Sequence, residues 1–88
     1  MKYEYDQSKS DSNKKKHGID FITAQELWTA QNIIIDTHSD QEYRKIIIGA
    51  LNRKMYSCVF TYRNNNIRII SCRRSRVKEV NLYNENIQ

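Results

Sequence analysis

The most distinctive chemistry in this sequence is a run of cations in its C-terminal third. From Arg63 to Lys78 there are six basic side chains and neither Asp nor Glu. The six are Arg63, Arg68, Arg73, Arg74, Arg76 and Lys78. A guanidinium is a planar fork that can make two parallel hydrogen bonds to a phosphate, and several of these arginines follow directly on a predicted strand that can aim them. The run therefore indicates a phosphate-bearing partner.

Two histidines are the candidates for proton transfer near neutral pH. His17 follows Lys14-Lys15-Lys16, and an imidazole is the side chain that exchanges a proton near neutral pH. Two interpretations of His17 stay open: a general base, or a helix-terminal residue whose ring bonds to backbone carbonyls. The three lysines likewise form either a second anion-binding cluster or a solvated face. His38 lies in a polar loop and is the weaker candidate.

Length and composition bound the kind of protein. The 88 residues are expected to form a single domain over residues 1–88, and 39% apolar with 28% charged residues is typical of a folded soluble chain. The net charge of +5 suits an anionic partner. Apolar runs such as Ile33–Ile35 are far shorter than the roughly 18 residues of a membrane span, and the N-terminus lacks a signal-peptide core. We therefore expect a cytoplasmic protein without a membrane partner.

No motif points to a metal or a cofactor. Cys58 and Cys72 are too few and too far apart for a disulfide framework or a zinc site, so we interpret both as small core residues. A Walker loop and a Ser-His-Asp pattern are also lacking.

The element order predicts an α+β fold. Tyr3-Glu4-Tyr5 alternates like a short strand, and the apolar-free segment 7–16 is either a loop or an exposed helix between Asp6 and Gly18. An amphipathic helix is predicted from Asp20 to about Thr29, and another from Ser75 to Asn86. Between them, β-branched runs alternate with polar turns. The predicted strands are 32–36, 43–51, 55–62 and 67–71 or beyond, with turns at 52–54 and 64–66.

The predicted architecture is a small, antiparallel-rich sheet of four to five strands with two N-terminal helices and a C-terminal helix, in the order β-α-α-β-β-β-(β)-α. Ile69-Ile70 indicates a last strand that is covered on both faces and central to the sheet. Whether Cys58 faces Cys72 depends on a two- or three-residue hairpin loop, because a one-residue shift exchanges the faces of a strand.

Three blocks carry a resemblance to a known family. The first is Asp6-x-x-Lys9-x-x-x-Asn13-x-x-Lys16-His17-Gly18, followed by Phe21. The second is Glu42-Tyr43-Arg44, leading into Ile48-Gly49. The third is Ile67-Arg68-Ile69-Ile70-Ser71-Cys72-Arg73, with Glu79 and Tyr83 behind it. In their order and spacing the blocks resemble the BrnT toxins, the ribonuclease half of BrnT/BrnA type II toxin–antitoxin pairs.

The resemblance implies a RelE-like fold, an endoribonuclease activity, and a BrnA-like antitoxin that blocks the toxin and alone contacts operator DNA. It also implies that segment 7–16 is a helix. Metal-free RNA cleavage needs a base for the 2′-hydroxyl, cations for the phosphorane and an acid for the leaving oxygen. The predicted catalytic residues are His17, Glu42, Arg44, Arg68, Ser71 and Arg73. The predicted RNA-binding residues are Lys16, Arg74, Arg76, Lys78 and Tyr83.

Some of these roles have structural alternatives. Glu42 is either a base or the partner of Arg44 in an ion pair at a strand end, and Tyr83 either meets RNA or packs in the core. Arg44 and Arg73 flank strands, so neither is expected to be needed for stability. Two other functions remain open for the whole chain: a non-catalytic nucleic-acid-binding module, and an inactive toxin remnant that binds only its antitoxin.

Overall fold

A computed structural model describes residues 2–37 and 43–87. Its strands are β1 (Tyr3–Glu4), β2 (Asn32–Asp36), β3 (Lys45–Leu51), β4 (Lys54–Arg63) and β5 (Asn66–Arg74). Its helices are α1 (Gln7–His17), α2 (Phe21–Ala24) with a 3₁₀ turn at Gln25–Trp28, and α3 (Val77–Asn86). This is the predicted α+β order with five strands. Within the described ranges, no helix has the length and apolar character to cross a membrane.

The strands form one sheet in the order β1-β5-β4-β3-β2. β1 runs parallel to β5, whereas the other neighbours are antiparallel. β5 therefore has a neighbour on each side, as Ile69-Ile70 predicted, although β4 is the middle strand. The short β1 pairs only with Ile67 and Arg68, so the backbone groups on the rest of that edge of β5 need other hydrogen-bond partners.

Helix α1 provides such partners at this edge through one polar side chain, that of Asn13. The Nδ2 of Asn13 donates to the carbonyl oxygens of Cys72 (2.9 Å) and Ile19 (2.8 Å), and its Oδ1 accepts from the Cys72 N–H at 3.1 Å. Asp6 caps the start of α1 by accepting from the N–H groups of Ser8 and Lys9, and Gly18 ends it at φ 78°. The apolar-free segment is thus a helix, held by caps and by Asn13 instead of an apolar stripe.

The second helix follows its predicted range but changes winding. Phe21, Ala24 and Leu27 are completely buried at three-residue spacing, the repeat of a 3₁₀ helix. They cover one side of the sheet, the core face, where Ile47, Phe60 and Ile69 lie. Trp28 completes this packing, with its ring centroid 5.1 Å from that of Phe60.

Two hairpins and a bulge set the register of β4 and β5. Both turns have two residues at positive φ, Asn52-Arg53 and Asn64-Asn65, as tight type I′ hairpins require. After the second turn, Phe60 pairs with Ile69 but Val59 pairs with Ser71, so Ile70 is an extra residue in β5. The hairpin loop therefore has two residues, and the bulge supplies the shift that brings Cys58 opposite Cys72.

Cys58 and Cys72 are completely buried, which confirms their core position. They are also joined as a disulfide across β4 and β5, so the expectation that they lie too far apart for one is wrong. The reason is the bulge, because spacing along the chain did not show that two lone cysteines would become direct cross-strand neighbours.

α3 packs on the other side of the sheet. Its Glu79 contacts Ser57 of β4, whose side chain points away from the neighbouring core residue Cys58. We call this side, which carries Ser57, Val59 and Thr61 of β4, the α3 face. The helix begins at Val77, two residues later than predicted, with Arg76 as N-cap, and Val77 is 77% exposed.

Candidate functional site

Three of the predicted catalytic residues share the α3 face. In the ladder between β4 and β5, Arg68 lies opposite Thr61, Ser71 opposite Val59 and Arg73 opposite Ser57. The three β4 partners alternate along their strand, so they and their β5 neighbours project to one side. Arg68 and Ser71 are three residues apart, and a regular strand would send them to opposite faces. The bulge at Ile70 is what brings them together.

Arg73 is held by an ion pair with Glu79. Its Nη1 and Nη2 donate to the two carboxylate oxygens of Glu79 at 2.6 and 2.7 Å. The same carboxylate accepts from the Ser57 hydroxyl at 3.0 Å and from the Arg76 N–H at 2.8 Å. The hydrogen bonds from Arg73, with those from the Arg76 N–H and Ser57, lower the pKa of Glu79 from 4.5 to about 2, while Glu79 raises the pKa of Arg73.

This geometry corrects one expectation about Arg73. The side chain of Glu79 is 11% exposed and that of Arg73 24%, so the pair lies largely out of water. Removing one partner would leave a charge with little solvent around it. Against the expectation from sequence, the geometry predicts that Arg73 contributes to stability. The pair uses one N–H of each terminal nitrogen, and a guanidinium has five N–H groups, so Arg73 has further donors for a second anion.

Arg68 is held less tightly. Its Nη1 lies 3.8 Å from the Glu4 carboxylate on β1, and each side chain is about a third exposed (33% and 32%). An ion pair of this length and exposure contributes little and is readily exchanged for another anion. Arg68 is thus anchored to the sheet by its backbone while its guanidinium stays accessible from the α3 face.

Arg44 lies directly before β3, at the same end of the site. Its carbonyl accepts from the N–H (3.1 Å) and the hydroxyl (2.9 Å) of Thr37. Continuing the register of Lys45 with Phe60 by one residue puts Arg44 opposite Thr61, on the α3 face. Glu42 and His38 lie outside the described residues, so the role of Glu42 as base or as ion-pair partner stays a prediction.

His17 and Lys16 have no hydrogen bond or ion pair with these arginines among the described residues. Both are exposed in the last turn of α1, which packs at the edge of β5. Among the described residues, none hydrogen-bonds to the His17 ring, and the Gly18 carbonyl accepts from Lys14 Nζ at 3.3 Å instead. The structure thus shows neither a contact of His17 with Arg68, Ser71 or Arg73 nor the capping contact that the structural alternative invoked.

The predicted RNA-binding residues beyond β5 differ in their surroundings. Arg74 lies over the Tyr56 ring at 5.9 Å, Arg76 caps α3, and Lys78 is exposed on that helix. Tyr83 is only 8% exposed and its hydroxyl donates to the Gln31 carbonyl at 3.4 Å. This burial favours the packing interpretation of Tyr83 over contact with RNA.

A shallow pocket of about 360 Å³ opens beside Arg68. Its lining residues are Tyr43, Thr61, Tyr62, Arg63 and Arg68. Tyr43, two residues before β3, is 94% exposed. Sequence reasoning assigned no role to Tyr43 or Thr61. The only hint in the sequence was that Tyr43 lies between Glu42 and Arg44. A sequence pattern does not show whether an aromatic ring is exposed or packed.

Comparison with protein families identifies the chain. The model described as "Ribonuclease toxin, BrnT, of type II toxin-antitoxin system" matches residues 5–79. The chain belongs to the BrnT family. No curated protein matches it. The matched range of BrnT runs from α1 to Glu79 and so includes every predicted catalytic residue, the ion pair of Arg73 and the pocket, but ends before Tyr83.

Proposed function

We propose that this BrnT chain is a metal-independent endoribonuclease that cleaves RNA by attack of a 2′-hydroxyl on the adjacent phosphate. The observation that carries the proposal is the α3 face, where Arg68, Ser71 and Arg73 project from one strand, with Arg44 directly before strand β3. Guanidinium groups in such an array can stabilise the charge that develops on a pentacovalent phosphorane.

The reaction makes one bond and breaks one. The 2′-oxygen loses its proton and bonds to phosphorus, giving a 2′,3′-cyclic phosphate, and the bond from phosphorus to the 5′-oxygen breaks as that oxygen takes a proton. Arg73 is suited to the charged intermediate because Glu79 holds its guanidinium before substrate arrives, so little reorganisation is needed. Glu42 and His17 remain the candidates for the base, and Ser71 lies exposed among the arginines.

The same charges support a partner proposal. A basic sheet face invites an acidic or amphipathic segment of a BrnA-like antitoxin, which would occlude the RNA site. In this proposal operator DNA is contacted only through the antitoxin, and the toxin acts in the cytoplasm. The net charge of +5 and the exposed Lys16, Arg74, Arg76 and Lys78 add attraction for RNA without base preference.

The end groups of the products test the mechanism. RNA incubated with the protein in EDTA should yield 2′,3′-cyclic phosphate and 5′-hydroxyl ends, and an oligonucleotide with a single 2′-deoxy sugar at the mapped cleavage position should resist. A requirement for added divalent metal, or 5′-phosphate ends, contradicts this mechanism. RNA binding without any product would favour the non-catalytic binding module.

A further inference from the structure

The pocket beside Tyr43 shares Arg68 with the proposed reaction site. Thr61 and Arg68 line it and are cross-strand partners on the α3 face. Ser71 follows Arg68 on the same face, at most about 10 Å further along the strand at 3.2–3.4 Å per residue. That separation is on the scale of one nucleotide. A group in the pocket would thus be a direct neighbour of a phosphate at Ser71.

Tyr43 has the properties of a stacking platform. Its ring is 94% exposed, the highest value among the large apolar side chains described as exposed. Its backbone, in contrast, is tied to the sheet, because the Tyr43 carbonyl accepts from the Thr61 hydroxyl at 3.0 Å and the next carbonyl, that of Arg44, accepts twice from Thr37. A backbone that is hydrogen-bonded to the sheet and presents an exposed aromatic ring loses less entropy than a free segment when a flat ligand stacks on it.

The rest of the lining fits a nucleotide. Arg63 and Arg68 bring two guanidinium groups, which can hydrogen-bond to base acceptors or to a phosphate. The volume of about 360 Å³ is at the lower end of the range for small-ligand pockets, enough for one base. The loose 3.8 Å contact of Arg68 with Glu4 leaves that guanidinium ready for exchange.

We propose that this pocket binds one unpaired nucleobase of the RNA, next to the scissile phosphate, with the base stacked on the Tyr43 ring. The proposal rests on the proposed ribonuclease function and adds a substrate class to it. Only a base that is free of its own duplex can offer a face to Tyr43, so the substrate is single-stranded RNA.

The test measures binding, separately from cleavage. The probe is a fluorescein-labelled single strand of mixed sequence with 2′-O-methyl sugars, which cannot undergo 2′-hydroxyl attack, and the readout is Kd from anisotropy. Tyr43→Ala should raise Kd by about 5- to 150-fold, the equivalent of one stacked base. Tyr43→Phe, which keeps the ring, should stay within about twofold of the unaltered protein. Ile22→Ala is the matched control, because Ile22 is an exposed apolar residue on α2, at the other side of the sheet.

A second arm locates the base. Once the cleavage position is mapped, oligonucleotides that lack one base at a time on either side of it are bound to both proteins. One abasic position next to the scissile phosphate should weaken binding to the unaltered protein and leave binding to Tyr43→Ala unchanged. Equal losses for both proteins at every position would overturn the proposal, because the missing base would then not contact Tyr43.

The remaining outcomes distinguish a failure of the pocket proposal from a failure of the proposed ribonuclease function. If the unaltered protein cleaves RNA but Tyr43→Ala binds the probe equally well, the pocket proposal is wrong and the ribonuclease proposal stands. If Tyr43→Ala weakens binding of a co-expressed antitoxin instead of the probe, the pocket is an antitoxin contact and the proposal is again wrong. If the unaltered protein neither binds nor cleaves RNA, both fail together.

Discussion

Arg73 at the end of β5 and Glu79 in the first turn of α3 form a two-pronged ion pair, with nitrogen–oxygen distances of 2.6 and 2.7 Å. The pair joins the sheet to the C-terminal helix at the point where the proposed reaction takes place. One guanidinium thus has two tasks, since it holds α3 in place and also faces the site.

Arg73→Ala should both destabilise the fold and impair cleavage. Glu79 would stay as a poorly solvated carboxylate, at a cost on the order of 2–3 kcal/mol, somewhat below that of fully buried pairs. The melting temperature should fall by about 10–20 °C for a chain of this size. Calorimetry of Arg73→Ala, Glu79→Ala and the double variant measures this. Strictly additive losses in the double variant would show that the two side chains do not interact.

The ion pair also predicts a pH dependence of stability. The pKa of Glu79 is lowered to about 2 in the folded chain from 4.5, so the folded state favours the ionised form. The resulting stabilisation, about 3 kcal/mol, is complete above pH 5 and is lost as the pH falls towards 2. Urea unfolding between pH 2 and 7 should show this loss. Glu79→Gln should flatten the profile in that window, and an unchanged slope in this variant would assign the acid sensitivity to other groups.

Arg68→Ala separates catalysis from stability better than Arg73→Ala. The exposed, 3.8 Å contact with Glu4 contributes little, so the melting temperature should change by only a few degrees. Cleavage at saturating RNA should fall by about a hundred- to a thousandfold if Arg68 stabilises the phosphorane. Arg44→Ala should show a comparable loss of cleavage.

The matched control for these two variants is Arg53→Asn. It removes a cation from the β3–β4 turn, where φ is 67°, a value that asparagine tolerates better than alanine. This variant should retain full activity. Full activity of both Arg44→Ala and Arg68→Ala would remove the arginine array from the mechanism.

Asn13 is expected to be the most sensitive residue of α1. Its side chain makes three hydrogen bonds, to Ile19 and twice to the backbone of Cys72, and only 6% of the residue is exposed. Asn13→Ala should cost about 2–4 kcal/mol by leaving buried backbone groups without these partners. Ser12→Ala, one position earlier and exposed, should be nearly neutral. Hydrogen exchange should locate the loosening at the edge of β5; equal stabilities of the two variants would refute the role of Asn13.

Local chemistry explains which features were predictable from sequence. The turns at Asn52 and Asn64 and the caps at Asp6 and Gly18 depend on a few neighbouring residues, and the structure has all of them. The sequence also showed that β5 is rich in arginine. That Arg68, Ser71 and Arg73 lie on one face of the sheet could not be predicted, because a bulge has no reliable residue signature. The partner of Arg73 depends on how α3 meets the sheet, and the exposure of Tyr43 depends on what surrounds it.

The extra residue at Ile70 divides β5 into two halves of opposite phase. Up to Ile69 the odd-numbered side chains enter the core, whereas from Ser71 onward the even-numbered ones do, Cys72 among them. A strand that slipped by one residue would lose the link between Cys58 and Cys72 and would turn Arg73 into the core at the same time. The pairing of Cys58 with Cys72 is therefore possible only in the register that also turns Ser71 and Arg73 away from the core.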